Sequence, residues 1–323
     1  MNKFNKLLTV SVLGFTVFSS PVIANTYPEK TITFVVPFTA GSATDKLARV
    51  LAGEMAKSWG QSVVVENKAG ASGFIAAQDV VRAAPDGYKV FITSNTTHAS
   101  NSALFKSLPY DPVKDFEPVS KLGTIPMALV VNPASIPAKT VPEFIQYLKD
   151  NPNKFFFGSG STSARMSGEL LKIMGNVQIS NVEYKSNPQA VVDTVGGQVH
   201  MMIADVATTL PLAREGKLTA LAVSTRERTE VAPDLPTLDE SGLKGYEMVG
   251  WFASYVPAGT PKPVVDKLNQ EFNRILNDPA TKQNFLTMGI VAESSTPEAL
   301  AEFQRNETEK WQDIVAKAGV TVQ

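Results

Sequence analysis

Two short loops carry the residue types best suited to binding chemistry, and neither contains a charged side chain. The first loop comprises Phe38, Thr39, Ala40, Gly41, Ser42, Ala43 and Thr44. The second loop comprises Gly158, Ser159, Gly160, Ser161, Thr162 and Ser163. Each follows a strand-like run and should open a helix, whose first turn exposes unpaired N–H groups at the positive end of the helix dipole. Because glycine and serine let a ligand approach the backbone, the two loops predict a clamp around an anion.

Two charged residues near these loops allow a functional and a structural interpretation. Arg165 lies close to the predicted start of the helix after the second loop, where a cation is electrostatically unfavourable. A ligand carboxylate bound by both arms of the guanidinium would offset that cost; alternatively, Arg165 is solvated or pairs with Glu169. Asp205 ends an apolar run, so it either faces a ligand cleft or caps the helix that begins at Val206.

The chain has few residues that could perform histidine chemistry. His98 and His200 are the two histidines, and His98 is the better functional candidate because it follows a strand in a loop rich in Thr, Ser and Asn. A hydrolase of anionic esters would need a nucleophile beside a base, and His98 with a loop serine is the conceivable pair. The favoured function is that of a binding protein without catalysis, and the hydrolase is the alternative.

Composition excludes several other classes of protein. The chain has 323 residues, no cysteine and a net charge of -1. Without cysteine there is no disulfide scaffold, thiolate metal site or cysteine nucleophile. The net charge does not indicate the basic surface that binding of nucleic acid requires. The second loop has Ser163 where the dinucleotide fingerprint needs its third glycine, and a nucleophile elbow and a Walker A motif are absent. We therefore expect no metal and no cofactor.

Residues 1–24 have the features of a secretory signal peptide. Lys3 and Lys6 precede an apolar run from Leu7 to Phe18, and Val22 and Ala24 supply small residues for cleavage after Ala24. The run is shorter than the roughly 20 residues that span a bilayer, although an uncleaved membrane anchor is the alternative. We expect a mature protein in the periplasm.

The rest of the chain alternates strand-like and helix-like segments. Strand-like runs at Thr31–Pro37, Ser62–Glu66 and Lys89–Thr93, with helical periodicity between them, predict a βαβαβ unit with parallel strands. A second β/α series begins at Met127–Val131 and includes a strand at Phe155–Phe157. Two such series predict two α/β lobes with a ligand cleft between them.

In addition to these features, ordered motifs cover nearly the whole mature chain. The sequence resembles the Bug family, the TctC-like periplasmic solute receptors of tripartite tricarboxylate transporters. The resemblance rests on the stretches YPEKTITFVVPF, TDKLAR, GQSVVVENKAGASG, AAPDGYKV, LPYDPVKDFEPVS, LVVNPAS, GELLK, GGQV, REGKLTALAVS, APDLPTLDESG and VPAGTP. It implies a type II periplasmic-binding-protein fold, with one lobe at 25–126 plus 250–323 and the other at 127–249.

The resemblance also implies a ligand site and partners. Family members hold a ligand carboxylate with residues of the two loops, and Asn95, Thr96, His98 and Asp205 match positions that border the family's cleft. The ligand would pass to the membrane permease subunits of the transporter; a receptor that presents its ligand to a signalling partner is an alternative. We expect a monomer.

Both loops depart from the family pattern. The first has Ala40 and Ser42 where the family usually reads proline and glycine, and the second is followed by Arg165 where the family often has histidine. An arginine directed into the cleft would suit a second carboxylate. The sequence therefore favours a dicarboxylate ligand, either aliphatic or aromatic such as terephthalate.

Overall fold

The computed structural model describes residues 27–320 and Val322, and these form two mixed β-sheets with helices packed on them. The predicted signal peptide lies outside the described residues and stays a prediction. The strands are β1 (Ile32–Val36), β2 (Val63–Asn67), β3 (Lys89–Ser94), β4 (Phe116–Ile125), β5 (Met127–Val131), β6 (Phe155–Ser159), β7 (Ile179–Glu183), β8 (Met201–Asp205), β9 (Thr219–Val223), β10 (Gly250–Pro257) and β11 (Val291–Ala292).

Helices connect most of these strands. They are α1 (Ala43–Trp59), α2 (Phe74–Val81), α3 (Asn101–Leu104), α4 (Val141–Asp150), α5 (Thr162–Gly175), α6 (Asn187–Val195), α7 (Val206–Arg214), α8 (Lys262–Asn277), α9 (Pro279–Thr287) and α10 (Pro297–Ala318). None of the helices within residues 27–320 is both long and apolar enough to cross a membrane.

The first sheet has the strand order β11-β4-β10-β3-β1-β2. Strand β1 pairs in parallel with β2 and β3, which confirms the predicted βαβαβ unit. Strand β10 is antiparallel to both β3 and β4, so a segment from the last third of the chain lies between two strands that come from its first 125 residues. We call this sheet and its helices the first lobe.

The second sheet has the order β7-β6-β8-β5-β9, and with its helices it forms the second lobe. Strands β6, β7 and β8 are parallel, whereas β5 is antiparallel to β8 and β9. The chain enters this sheet directly after β4, through Pro126, and returns to the first sheet at Gly250. These crossings produce the two-lobed α/β architecture that the sequence predicts.

Local sequence signals account for where helix α10 begins and ends. Thr296 is its N-cap, with its hydroxyl accepting a hydrogen bond from the Ala299 N–H at 3.1 Å, and proline occupies the first turn. Threonine is favoured at the N-cap and proline at the first helical position. The apolar residues Trp311 and Ile314 are buried, and Gly319 ends the helix in the left-handed conformation. The helix packs on both β4 and α5, so it bridges the two lobes.

Candidate functional site

The cleft between the lobes contains two adjoining cavities. The proximal cavity, about 230 Å³, lies at the N-termini of α1 and α5. Its lining from the first lobe includes Phe38, Ser42, Ala43, Thr44, Asn95 and Thr96, and from the second lobe Ser161, Ser163, Asn187 and Asp205. The structure thus brings together residues from both glycine- and serine-rich loops, which lie more than a hundred positions apart in the sequence.

The distal cavity is about 270 Å³ and is also shared between the lobes. Its polar lining includes Ser72, Asn101, Thr162, Arg165, Glu183 and Tyr184. Thr96 and Ser161 line both cavities, so the two form one elongated cleft. An extended ligand could therefore place one end at the helix N-termini and the other beside Arg165.

The first turns of α1 and α5 provide backbone donors at the proximal cavity. Ser42 caps α1 by accepting the Asp45 N–H at 3.2 Å, and Ser161 caps α5 by accepting the Ala164 N–H at 3.2 Å. The intervening N–H groups in each first turn have no acceptor within their own helix. Ala43 and Thr44 in α1 therefore offer N–H groups for an anion, as do Thr162 and Ser163 in α5.

Several predicted loop residues shape the loops and do not line either cavity. The Gly41 N–H donates to Asp45 Oδ2 at 2.8 Å, and the Thr39 carbonyl accepts the Ser42 N–H at 3.1 Å. The Ser159 hydroxyl donates to Asn181 Oδ1 at 2.7 Å. Because these groups already have partners within the protein, their contribution is to the conformation of the loops.

The Asp45 side chain stabilises the conformation of the first loop. Its buried carboxylate receives the Gly41 N–H, the Arg49 guanidinium and the Asn67 amide. Burial favours the neutral form, but the hydrogen bonds from Arg49, Gly41 and Asn67 together keep the pKa of Asp45 below its usual range. Asp45 is therefore an ionised anchor for the loop.

Asn187 is a site residue that sequence reasoning missed. Its Oδ1 accepts the Gly160 N–H at 3.0 Å, while its Nδ2 donates to Ser161 Oγ at 3.3 Å and to Asp205 Oδ2 at 3.1 Å. One amide therefore joins the second loop to the starts of α6 and α7. The Asn187-Pro188 pair at the start of a helix was the available sequence signal, but nothing in the sequence placed it beside the second loop.

Asp205 fulfils both of the roles that the sequence left open. It borders the proximal cavity, and it caps α7 by accepting the Thr208 N–H at 3.0 Å and the Thr208 hydroxyl on Oδ1. Its other carboxylate oxygen accepts a hydrogen bond from Asn187. Because both oxygens have partners, Asp205 stabilises the local backbone at the edge of the cleft.

Arg165 lines the distal cavity and does not pair with Glu169. Glu169 instead lies 2.7 Å from Lys172 Nζ. Arg165 Nη1 is 3.8 Å from Glu183 Oε2, and Arg165 Nε is buried without a hydrogen-bond partner among the described residues. A buried guanidinium N–H that lacks a partner is costly. The rest of the guanidinium is accessible, since the Arg165 side chain is 35% exposed, and it offers donors to an acceptor that enters the cavity.

The structure places His98 outside the cleft, in contrast to the expectation from the family pattern. His98 is fully buried in the first lobe, where its ring stacks on Tyr255 with 3.8 Å between centroids and its Nδ1 is 2.9 Å from Thr97 Oγ1. The pair of His98 and a loop serine, on which the hydrolase alternative depends, is not formed. The preceding residues Asn95 and Thr96 do line the cleft. His98 does not, because the chain turns into the core immediately after them.

Burial of His98 predicts a pH-dependent stability. Burial lowers the pKa of His98 from 6.5 to about 3. The unfolded chain therefore binds a proton below about pH 6.5 that the folded protein does not bind, and stability is lost as the pH falls from 6.5 towards 3. The loss from this group approaches about 1.4 kcal/mol per pH unit. Urea unfolding measured between pH 4 and pH 7 gives the free energy of unfolding at each pH. This free energy should change less steeply with pH in His98→Leu than in the unmodified protein.

His200 provides the control for this measurement because it also titrates but is only partly buried. His200→Gln should keep most of the pH dependence of the free energy of unfolding. The same pH dependence in His98→Leu as in the unmodified protein would contradict the prediction. Carboxylates contribute to acid unfolding in all three proteins, so the difference between variants is the quantity that tests His98.

The two lobes are also in direct polar contact within the cleft. Asn95 Nδ2 of the first lobe donates to Ser163 Oγ of the second lobe at 3.3 Å, and both residues line the proximal cavity. Within residues 27–320, the acidic and histidine side chains do not form a cluster of three or more that could hold a metal ion. The polar lining of the two cavities thus includes backbone N–H groups, hydroxyls, amides, one arginine and the carboxylates of Asp205 and Glu183.

With this geometry in place, comparison with known proteins identifies the family. The model of the tripartite tricarboxylate transporter family receptor, TctC, matches residues 47–320. BugT of Bordetella pertussis is 32% identical over 99% of this chain and 99% of its own length. The chain belongs to the TctC receptor family, which confirms the resemblance found in the sequence.

Two similar solved structures are of proteins with a carboxylate. R. palustris Rpa4515 with adipate has a TM-score of 0.80 and 33% identity, covering 91% of this chain and 98% of that chain. MatC from Rhodopseudomonas palustris with bound malate has a TM-score of 0.74 and 34% identity, covering 90% of this chain and 100% of that chain. These similarities confirm the two-lobed binding-protein fold.

Proposed function

We propose that this receptor is a periplasmic solute-binding protein that captures a dicarboxylate between its lobes. The observation that carries the proposal is the combination of two helix N-termini, one from each lobe, with Arg165 in the adjoining cavity. The N–H groups of α1 and α5 suit one carboxylate, and the guanidinium suits a second. The structures with adipate and with malate support the dicarboxylate class.

The ligand would act by stabilising the closed arrangement of the lobes. A carboxylate that accepts hydrogen bonds from α1 and from α5 binds both lobes at once, so it has higher affinity for the closed form than for an open form. The Asn95–Ser163 contact supports the same closed arrangement. The closed protein would then deliver its ligand to the permease subunits of a tripartite tricarboxylate transporter, and it would do so as a monomer after cleavage at Ala24.

The chemistry of the cleft favours binding over catalysis. A hydrolase would need a base beside a nucleophile, whereas His98, the base considered in the sequence, is stacked on Tyr255 in the core. Aliphatic and aromatic dicarboxylates both remain members of the proposed ligand class. Adipate and malate are the first probes because structures of similar proteins have been solved with them.

A thermal-shift screen tests the proposal. The mature protein is unfolded, freed of co-purified ligand, refolded, and mixed with adipate, malate, terephthalate, hexanoate and benzoate. A ligand at about 100 times its Kd stabilises the fold by about 2.7 kcal/mol, which gives a clear rise in Tm. Selective stabilisation by dicarboxylates supports the proposal, and titration calorimetry then gives the Kd. The absence of a shift with every carboxylate would refute it, and ester hydrolysis would be assayed next.

A further inference from the structure

Glu183 lies at the entrance of the distal cavity and is held there by the sheet. It is the last residue of β7, and it pairs in parallel register with Ser159 of β6. The next residue, Tyr184, donates its N–H to the Ser159 carbonyl at 2.7 Å. The backbone of Glu183 is thus fixed beside the second loop, which leads directly into the helix that carries Arg165. Both side chains line the same cavity.

The contact between Glu183 and Arg165 is weak. The closest approach is 3.8 Å, which is too long for a hydrogen bond, and the Glu183 side chain is 71% exposed. An exposed ion pair of this kind contributes about 0–1 kcal/mol. Arg165 Nε has no partner among the described residues. Glu183 therefore leaves part of the hydrogen-bonding capacity of the guanidinium unused.

From this geometry we infer that Glu183 is a specificity-determining residue that competes with the ligand's second carboxylate for Arg165. This inference rests on the proposed function, in which Arg165 binds that carboxylate. A dicarboxylate must displace a protein carboxylate and then bind beside it. Glu183 consequently lowers the affinity for dicarboxylates and speeds their release, while a monocarboxylate, which does not engage Arg165, is unaffected.

The expected size of the effect follows from the electrostatics of the cleft. Two carboxylates on one guanidinium repel each other, and the repulsion is reduced by solvent and salt because Glu183 is largely exposed. Removing the negative charge should therefore strengthen dicarboxylate binding by about three- to tenfold. The gain should shrink as ionic strength rises, since exposed charges are screened.

Three ligands of equal chain length and different terminal charge test the inference. Titration calorimetry would compare adipate, hexanoate and 6-aminohexanoate on the unmodified protein and on Glu183→Gln. We expect tighter adipate binding in the variant, and hexanoate binding within about twofold of the unmodified protein. Glu215→Gln is the matched control: Glu215 is also in the second lobe, is 55% exposed, and pairs with Lys217 at 2.7 Å. It should change none of the three affinities.

Several outcomes would overturn the inference. Unchanged or weaker adipate binding in Glu183→Gln would mean that Glu183 does not compete, or that it orients Arg165 productively. An equal gain for adipate and hexanoate would indicate a general charge effect. Preferential binding of 6-aminohexanoate that is lost in the variant would show that Glu183 recognises a cation. If adipate, malate and the other carboxylates fail to bind either protein, the proposed function itself fails, and the inference fails with it.

Discussion

Gly160→Ala is expected to destabilise the second loop severely and to abolish carboxylate binding. A Cβ at this position would lie 1.9 Å from the Ser186 carbonyl carbon and 2.2 Å from the Asn187 nitrogen. Both atoms belong to the backbone, so relief requires the β6–α5 loop and the start of α6 to separate. That movement breaks the hydrogen bond from Gly160 to Asn187. Overpacking of this kind costs about 1–3 kcal/mol or more, measurable by urea unfolding and by calorimetry with adipate.

Gly53→Ala is the matched control for this prediction. Gly53 lies within α1 and is exposed, and a Cβ added there would meet no atom within 4 Å beyond its own stretch of helix. Alanine there should raise stability by about 0.5–1 kcal/mol because glycine is unfavourable inside a helix. Normal stability and normal adipate affinity in Gly160→Ala would contradict the packing of the second loop against α6.

Arg165→Ala is expected to remove the preference for a second carboxylate. A hydrogen bond that involves a charged group contributes about 1.5–3 kcal/mol, so adipate affinity should fall by about 10- to 100-fold. Hexanoate, which lacks the second carboxylate, should bind the variant and the unmodified protein equally. Calorimetric titration of both ligands gives the two ratios directly.

Two further variants sharpen this measurement. Arg165→Lys keeps the positive charge but loses the planar fork, so it should recover only part of the adipate affinity. Arg305→Ala removes an exposed arginine of α10 and should leave both affinities unchanged. If adipate binding survives in Arg165→Ala, or if adipate and hexanoate weaken equally, Arg165 does not bind the second carboxylate.

Much of the secondary structure could be predicted because its signals are local. The runs at Met127–Val131 and Trp251–Pro257 are apolar and β-branched or aromatic, and both are strands in the structure. The start of α10 at Thr296-Pro297 agrees with capping preferences, which favour threonine at the N-cap and proline in the first turn. Strand β4 was missed, because its sequence lies in a stretch punctuated by prolines, and neighbouring strands β10 and β11 stabilise it through pairing.

The candidate site was only partly predictable because side-chain partners depend on the fold. The sequence indicated that both loops would open helices, but the partners of individual groups were not evident. Thr39, Gly41 and Ser159 share the composition of the residues that line the cavities, yet the Thr39 carbonyl, the Gly41 N–H and the Ser159 hydroxyl are hydrogen-bonded within the protein. His98 follows two cleft residues in the chain and is nevertheless buried against Tyr255.

The sequence by itself determined the α/β class, the alternation of strands and helices, the two helix-opening loops and the family. Each of these depends on periodicity, capping residues or ordered motifs, which act over short stretches of chain. Only the tertiary structure decided that the loops face one another, that Asn187 joins Gly160 to Asp205, and that Glu183 meets Arg165. Those contacts depend on strand order and register, which bring together residues distant in the sequence.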